Sequence, residues 1–230
     1  MKKTIVVVGF LGLLASGSWA SETFFKKGQK GWKFWDKVDS PAEKWSDSDF
    51  DDSAWKEGQA PLGYGDDEIK STISYGDNKE KKHPAAYFRL EFEVKDHDHQ
   101  VLYMMVRYDD GARLYLNGTY LGDLNTPKDP PPPGAYTGKS LGPGVLDGYT
   151  KFVLQKKGLL VKGNNTFAIS VHQGSASSSD LFLDAEFLGI SEKEFEALQA
   201  AEKKTVTGEE KTDEKKTNTD EEKTEKGDPE

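Results

Sequence analysis

The sequence contains no cysteine, only four histidines and no excess of basic side chains. Without cysteine, disulfide frameworks, thiolate catalysis and cysteine-ligated zinc sites are all excluded. The 230 residues include 31 Lys and Arg against 40 Asp and Glu, which gives a net charge of −9. Because nucleic-acid-binding domains usually carry a basic face, we expect no nucleic-acid partner. A phosphate-binding glycine loop and a dinucleotide fingerprint are also missing from the sequence.

The one long apolar run lies at the N-terminus. Lys2 and Lys3 precede it, residues 5–14 form it, and Ser18-Trp19-Ala20 has the small residues of a cleavage site. The run is shorter than the roughly 20 residues that a membrane-spanning helix needs. Residues 1–20 are therefore predicted to be a secretory signal peptide. We expect the mature protein to be secreted, periplasmic or on the cell surface, with no membrane span after cleavage.

The C-terminal end differs in composition from the rest of the chain. Residues 201–230 consist mainly of Lys, Glu, Thr and Asp and include no aromatic residue. Such a segment buries too little apolar surface to offset its ordering entropy, so residues 205–230 are predicted to be a disordered tail. The capping-box pattern that begins at Ser191 precedes Phe195 and Leu198 on one helical face. A short helix is therefore predicted over residues 191–204.

The body of the chain, residues 21–190, has the period-two alternation of half-buried strands. In residues 87–94, four apolar side chains alternate with Arg and Glu. Similar patterns predict strands near residues 101–107, 113–116, 152–154, 167–171 and 181–187. Many short strands joined by turns are typical of a sandwich of two antiparallel sheets. The predicted fold is an all-β jelly-roll β-sandwich, followed by the short helix and the acidic tail.

Turn residues suggest how these strands are joined. Asp110-Gly111 and Asn117-Gly118 favour tight hairpins, so a three-stranded meander is predicted around them. A further turn is predicted at residues 163–165. Residues 40–78 and 122–149 are rich in Gly, Pro and Asp, and no strands are predicted there. Trp45 and Trp55 of the first region are expected to plug one end of the sandwich.

Several separated motifs share their order and spacing with a known family. They are Asp52-Ser53-Ala54-Trp55, residues 61–65, Tyr87-Phe88-Arg89, residues 109–118, residues 163–168, Val171-His172-Gln173 and residues 178–181. Together they resemble a galactose-binding-domain-like β-sandwich module of exported bacterial proteins, over roughly residues 33–188. The resemblance implies a jelly-roll fold and a non-catalytic role in carbohydrate binding or surface attachment. It also implies, for some members, a structural calcium ion. The departure here is that no catalytic domain accompanies the module.

Polar residues gather at the predicted strand ends. Carboxylates suit sugar hydroxyl groups, and an aromatic ring suits the apolar face of a sugar. If the last two strands pair as a hairpin, His172 and Asp180 lie close together at its loop. For Asp110 a turn-forming role, and for His172 a hydrogen-bonded strand-end role, are structural alternatives. The candidate ligand-binding residues are Arg107, Tyr108, Asp109, Asp110, His172, Gln173 and Asp180.

Evidence for a metal ion in the sequence is weaker. The acidic loops at residues 47–52 and 65–68 offer the oxygen ligands that calcium prefers, but neither has the spacing of an EF-hand. Exposed acidic loops are the favoured alternative, and no metal ligand is assigned. His83, His97 and His99 lie in polar stretches and are expected to face solvent. His97 and His99 are two residues apart, which is weak evidence for zinc without further ligands. No cofactor is predicted, apart from the structural calcium ion that the resemblance allows.

These observations favour an exported, non-catalytic ligand-binding module. Its expected partner is a glycan or another cell-envelope component, bound at the cell surface or outside the cell. One alternative is a structural or adhesive envelope protein that binds another exported protein. A small hydrolase that uses His172 is a lesser alternative, because the sequence places no obvious nucleophile beside that residue. We therefore do not expect an enzyme.

Overall fold

The computed structural model describes residues 21–95, 99, 101–127, 132, 134–141 and 148–201. The predicted signal peptide and tail lie outside these residues. The chain divides into two units, a β domain up to Ser191 and a second unit from Glu192 that contains helix α1 at residues 192–201. The strands are β1 (Glu22–Phe25), β2 (Lys30–Trp35), β3 (Lys56–Gln59), β4 (Leu62–Tyr64), β5 (Ser71–Thr72), β6 (Ala85–Val94), β7 (Val101–Asp109), β8 (Gly111–Leu116), β9 (Thr119–Leu124), β10 (Thr150–Leu154), β11 (Gly163–His172) and β12 (Leu181–Ile190).

The strands form two six-stranded sheets, which confirms the predicted β-sandwich. Sheet A has the order β10-β7-β12-β4-β5, with β1 also paired to β12. Sheet B has the order β3-β2-β6-β11-β8-β9. Pairing is antiparallel throughout the described residues except between β4 and β5, which are parallel. Helix α1 occupies most of the stretch predicted to be helical, and no described helix is long and apolar enough to cross a membrane.

The core lies between the sheets because alternate side chains of each long strand point inward. On β6 these include Phe88 and Leu90, and on β7 they include Met104 and Val106. Phe167 of β11 belongs to the same cluster, as do the inward residues of β12. Burial of each such side chain contributes about 1.5–3 kcal/mol to folding. The longest alternating patterns in the sequence therefore correspond to the central strands of the sandwich.

The predicted three-stranded meander is wrong at its first turn. Strand β7 belongs to sheet A and β8 to sheet B, so the chain passes between the sheets at Asp110. Instead of closing a hairpin, the Asp110 carboxylate accepts hydrogen bonds from Leu141, Gly174 and Ser178, in loops distant in the sequence. The second predicted turn is confirmed, since Asn117 and Gly118 have positive φ angles and join β8 to β9.

The structure also corrects the regions expected to lack strands. Residues 40–78 contain β3, β4 and β5, and β9 extends to Leu124. These strands are short and have little alternation, so their pairing with longer neighbours determines them. Residues 163–165 are not a turn but the start of β11. There the buried Asn165 side chain bonds to Val161 and Gly163, which holds the preceding loop.

Trp45 and Trp55 do not plug an end of the sandwich. They pack with Tyr87, Trp35 and Phe50 in a second apolar cluster. Tyr87 alternates along β6 with the inward-facing Phe88, so this cluster lies on the outer face of sheet B. The expectation failed because the sequence shows which residues are apolar but not which face of a sheet a covering loop reaches.

Candidate functional site

Four strands end or begin together at one edge of the sandwich. In sheet A, Tyr64 at the end of β4 pairs with Leu181, and Asp109 at the end of β7 pairs with Phe182. Between the sheets, the Asp110 amide donates a hydrogen bond of 3.1 Å to the His172 carbonyl. This geometry gathers four of the seven predicted ligand-binding residues, together with one tyrosine. We call the group the strand-end cluster, and its members are Tyr64, Asp109, Asp110, Gln173 and Asp180.

Asp110 holds the loops around the cluster. It is 3% exposed, and its Oδ1 accepts a hydrogen bond of 3.0 Å from the Leu141 amide. Its Oδ2 accepts bonds of 2.6 Å from the Gly174 amide and 3.1 Å from the Ser178 hydroxyl. Both oxygens therefore have partners within the protein, so Asp110 has a structural role, although it holds distant loops together rather than forming the predicted turn.

Gln173 lies at the centre of the cluster and is fully buried. Its Nε2 donates to the Tyr64 hydroxyl and, at 3.0 Å, to the Asp180 carbonyl. Its Oε1 has no hydrogen-bond partner among the described residues. Because both donor contacts fix the amide orientation, this unpartnered atom is an acceptor.

Asp109 is the second buried side chain with an unpartnered acceptor. It is 4% exposed, and its Oδ1 has no partner in the described part of the chain. Burial raises its pKa to about 9, with further increases from Asp110 and Asp180 through their charges and shared hydrogen bonds. Asp109 is therefore protonated at neutral pH. Burial also raises the pKa of the Tyr64 hydroxyl far above its usual range, so that group stays neutral as well.

Asp180 is the accessible member of the cluster. It is partly exposed, whereas the other four members are buried. Its Oδ1 accepts a hydrogen bond of 2.5 Å from the Ser179 hydroxyl. Since Asp180 lies beside the protonated Asp109, the two form a carboxyl pair with one member at the surface and one behind it. A ligand in solution would meet Asp180 first.

Two residues that sequence reasoning missed form the rim of the cluster. Lys82 donates a hydrogen bond from Nζ to the Ser178 carbonyl, and its Nζ lies 5.9 Å from the Tyr64 ring centroid. It also lies 5.5 Å from the ring centroid of Tyr75, which is partly exposed. The Tyr64 and Tyr75 rings meet edge to face with centroids 5.0 Å apart. The aromatic residues of the 40–78 region were the only sequence signal for this rim.

Arg107 and Tyr108 lie outside the cluster. Arg107 is on the outer face of sheet A, 3.9 Å from the centroid of the Phe182 ring. Its guanidinium donates to Glu68 at 2.9 Å and to Asp66 at 3.3 Å. Tyr108 points the other way, into the core between the sheets. Neighbouring residues on a strand face opposite sides, which separates these two from each other.

His172 also points away from Asp180. The predicted hairpin between the last two strands does not form, because β11 and β12 belong to different sheets. The His172 ring contacts the Ser170 hydroxyl at 2.9 Å and the Ala135 carbonyl at 3.2 Å. Burial lowers its pKa, so the ring is neutral. Ser170 and His172 are each 2% exposed, which leaves no access for a substrate carbonyl to this serine–histidine pair.

Three carboxylates of the acidic loops are paired with arginine. The described residues contain no group of three or more His, Asp or Glu side chains that could hold a metal. In the first loop Asp52 pairs with Arg89 at 2.7 Å, and in the second loop Asp66 and Glu68 pair with Arg107. These carboxylates are therefore neutralised by arginine.

Two of the histidines that were expected to face solvent do not do so fully. His99 is buried, with its Nε2 3.2 Å from Glu22, rather than exposed to solvent. His83 is partly buried, and its Nδ1 lies 3.0 Å from the Asp36 carbonyl. His97 lies outside the described residues.

No protein-family model matches the chain, and no curated protein matches it significantly. Among solved structures, the β-glucuronidase of Bacteroides uniformis is similar at 17% identity with a TM-score of 0.50, over 75% of this chain and 18% of that one. β-Glucuronidase 2 of the same organism, covalently bound to cyclophellitol-6-carboxylate aziridine, has 18% identity and a TM-score of 0.49 over the same shares. A Ruminococcus gnavus β-glucuronidase in complex with an N1-substituted uronic isofagomine has 9% identity and a TM-score of 0.47, over 77% of this chain and 31% of that one.

This chain thus spans 18% of the length of the two Bacteroides enzymes. At such identities the likeness shows a common fold, the β-sandwich, and nothing about activity. The galactose-binding subtype stays a prediction.

Proposed function

We propose that this protein is an exported, non-catalytic module that binds glycans at the strand-end cluster. The observation that carries the proposal is a surplus of buried acceptors beside an accessible carboxylate. Asp109 Oδ1 and Gln173 Oε1 both lack donors among the described residues. Buried polar atoms in proteins are nearly always hydrogen-bonded, so these two acceptors favour a donor that the described residues do not supply. Sugar hydroxyl groups are such donors.

The chemistry of the rim supports a sugar as the ligand. Asp180 can accept from a hydroxyl group, and the partly exposed Tyr75 ring can pack against the apolar face of a pyranose. The buried Lys82 places its ammonium 5.5 Å from the centroid of this ring. A small number of placed polar groups beside an aromatic surface is typical of small-ligand sites. The fold likeness to a segment of a Bacteroides uniformis β-glucuronidase is consistent with a carbohydrate partner.

A non-catalytic role accords with the state of the titratable groups. Asp109 is protonated and buried, and His172 is neutral and buried on another face. Acid–base catalysis needs a group that reaches the substrate within hydrogen-bonding distance. The accessible Asp180 has no second accessible carboxylate beside it in the cluster, which supports binding without turnover.

The test combines a glycan array with isothermal titration calorimetry on the best binder. Asp180→Asn should weaken binding at least about tenfold, or about 1.4 kcal/mol, and leave the melting temperature within about 1 °C. Asp49→Asn, at an exposed aspartate of the acidic 47–52 loop, is the matched control and should bind normally. An array without any binder, or equal affinities for the two variants, would refute the proposal.

A further inference from the structure

One side of the sandwich ends in two strands whose outer edges pair with no other strand in the described part of the chain. Strand β9 is the last strand of sheet B, and β10 is the last strand of sheet A. A Cβ atom added at Gly122 of β9 would lie 3.0 Å from Cζ of Phe152 in β10, so the two edges face each other at mid-strand. The backbone groups along such edges can pair with a strand of another chain.

The opposite side of the sandwich is closed. Its edge strands β3 and β5 have four and two residues, and the Gln59 amide of β3 donates a hydrogen bond of 2.8 Å to the Ser71 hydroxyl of β5. Strand β3 also contains the charged residues Lys56 and Glu57. Short edge strands and charged side chains are common protections against pairing with another chain. The side formed by β9 and β10, with six and five residues, therefore has the longer edges.

Incompletely buried apolar side chains lie along the β9–β10 side. Tyr120 is 52% exposed, and so is Val161 in the loop after β10, which the Asn117–Leu159 hydrogen bond joins to the turn between β8 and β9. Four further side chains pack against the core but are only partly buried: Leu121, Leu124, Phe152 and Leu154. Adjoining exposed apolar groups are typical of interaction surfaces.

We propose that the β9–β10 side is a dimer interface, in which β9 pairs antiparallel with β9 of a second copy and β10 pairs with its own counterpart. Homodimers of this kind have a twofold axis, which here runs perpendicular to the sheets. Because β9 and β10 face each other at mid-strand, one axis can centre both strand pairs at once. Each sheet then continues into the same sheet of the other copy, and the two strand-end clusters lie at opposite ends of the dimer.

The charges along β9 fit a second copy of the same strand. With the axis between Leu121 and Gly122, Tyr120 of each copy lies opposite Asp123 of the other. Within one chain both residues pair with β8, and their β8 partners are two residues apart, so both side chains lie on one face. The Tyr120 hydroxyl can then donate to the Asp123 carboxylate of the other copy. Asp123 is the only charged residue of β9, so no like charges oppose each other in this register.

The test measures the mass of the purified protein by light scattering at increasing concentrations. We expect the mass to rise from that of one chain to that of two. In the dimer, hydrogen–deuterium exchange should slow at residues 119–124 and 150–154 but not at residues 56–59, the edge on the closed side. A protein that is still a monomer at about 1 mM, or a dimer without slower exchange at residues 119–124, would overturn the inference.

Substitutions at Tyr120 test the register. Tyr120→Asp places two carboxylates opposite each other at both symmetry-related contacts, whereas Tyr120→Lys places opposite charges there. Both variants lose the exposed ring, so the comparison between them isolates the effect of charge. The dissociation constant of the dimer should be at least about tenfold higher for Tyr120→Asp than for Tyr120→Lys. Circular dichroism checks that both variants fold.

The matched controls are Val38→Asp and Val38→Lys, which make the same change at a side chain that is 63% exposed in the loop after β2. At about 0.15 M salt, exposed charges more than about 8 Å apart are largely screened, so these two variants should dimerise alike. Equal dissociation constants for the two Tyr120 variants, or an equally large difference between the two Val38 variants, would show that the inference is wrong. Dimerisation is measured without ligand, so either result leaves the proposed glycan binding unaffected.

Discussion

The Asp110 carboxylate accepts a hydrogen bond of 2.6 Å from the Gly174 amide, which ties the junction between β7 and β8 to the loop between β11 and β12. The same carboxylate holds Leu141 and Ser178. One buried side chain thus organises three segments that are distant in the sequence. The accessible side of the site, at Asp180, depends on this arrangement.

Substitution Asp110→Ala should destabilise the domain strongly. It leaves the Gly174 and Leu141 amides without their partner, and each buried unsatisfied group costs about 1–3 kcal/mol. The free energy of unfolding, measured by urea denaturation, should fall by at least about 2 kcal/mol. Asp180→Asn, at the partly exposed member of the cluster, should change the free energy of unfolding by less than about 0.5 kcal/mol. A near-neutral Asp110→Ala would show that the loops are held in another way.

Asp109 should make the protein less stable as the pH rises. In the unfolded chain an aspartate loses its proton near pH 4, whereas in the fold burial raises the Asp109 pKa to about 9. Between these values the folded state binds more protons, so the contribution of this group to stability falls with increasing pH. Asp109→Asn should therefore gain stability relative to the wild type as the pH rises from 4 to 8, by about 1.4 kcal/mol for each pH unit. The two proteins should converge near pH 4.

Thermal or urea unfolding across this pH range checks the prediction. Asp49→Asn removes an exposed carboxylate, so its stability should have the same pH dependence as that of the wild type. If the stability of Asp109→Asn also has the same pH dependence as that of the wild type, Asp109 is ionised in the folded protein and its assigned protonation is wrong.

Arg89 should be essential for the loop that covers sheet B. Its fully buried guanidinium donates to Asp52 at 2.7 Å and to the backbone carbonyls of Trp45 and Asp47. Breaking a buried ion pair costs about 3–5 kcal/mol, so Arg89→Met should lower stability by about 3 kcal/mol. Tryptophan fluorescence should shift to the red as Trp45 becomes more exposed.

The matched control on the same sheet is Lys33→Met. Lys33 pairs with Glu57 at 2.9 Å, but both side chains are substantially exposed, and such pairs contribute about 0–1 kcal/mol. Glycan affinity should be the same in both variants under conditions where each is folded. If only Arg89→Met loses affinity for the glycan, the binding site lies on the outer face of sheet B and not at the strand-end cluster.

The sequence patterns predicted the long strands but not the short ones. Strands β6, β7, β11 and β12 have alternating apolar residues over many positions, so local sequence is sufficient to detect them. The three-residue strand β4 has no such pattern, because its pairing with β12 determines it. Asp110-Gly111 has the composition of a hairpin turn, and only its long-range hydrogen bonds reveal the passage between sheets.

The site was predictable to a similar extent. Asp109, Asp110 and Asp180 were identified because each follows or precedes an alternating strand. Tyr64 and Lys82 were missed, since strand register and loop packing bring them to the cluster. Arg107, Tyr108 and His172 were wrongly placed in the site. Their positions depend on which sheet each strand joins and which face each side chain occupies, and the turn residues in the sequence do not show this.

Substitution of His172 should leave ligand binding unchanged. Its ring is hydrogen-bonded to the Ser170 hydroxyl and the Ala135 carbonyl on the outer side of sheet B, away from Asp180. His172→Gln should therefore keep its glycan affinity within about twofold, while stability falls by about 1 kcal/mol through the lost hydrogen bonds. Calorimetry and urea denaturation measure the two effects. If glycan affinity falls by more than the loss of stability accounts for, His172 contacts the ligand and this prediction is wrong.

Export should produce a mature chain that begins at Ser21. The N-terminal pattern predicts cleavage after Ala20, and β1 begins one residue later, at Glu22. Intact-mass spectrometry of protein recovered from the periplasm or medium of an expressing bacterium tests this prediction. Recovery of full-length protein from the cytoplasm alone would contradict it.

The most direct measurement of ligand binding at the strand-end cluster is an NMR titration of the isotope-labelled protein with the tightest binder from the glycan array. We expect the largest chemical-shift changes at the Gln173 side-chain amide and at the backbone amides of residues 174–180, with little change at Trp45 or His172. No change at residues 173–180 with saturating ligand, or changes centred on the outer face of sheet B, would contradict it.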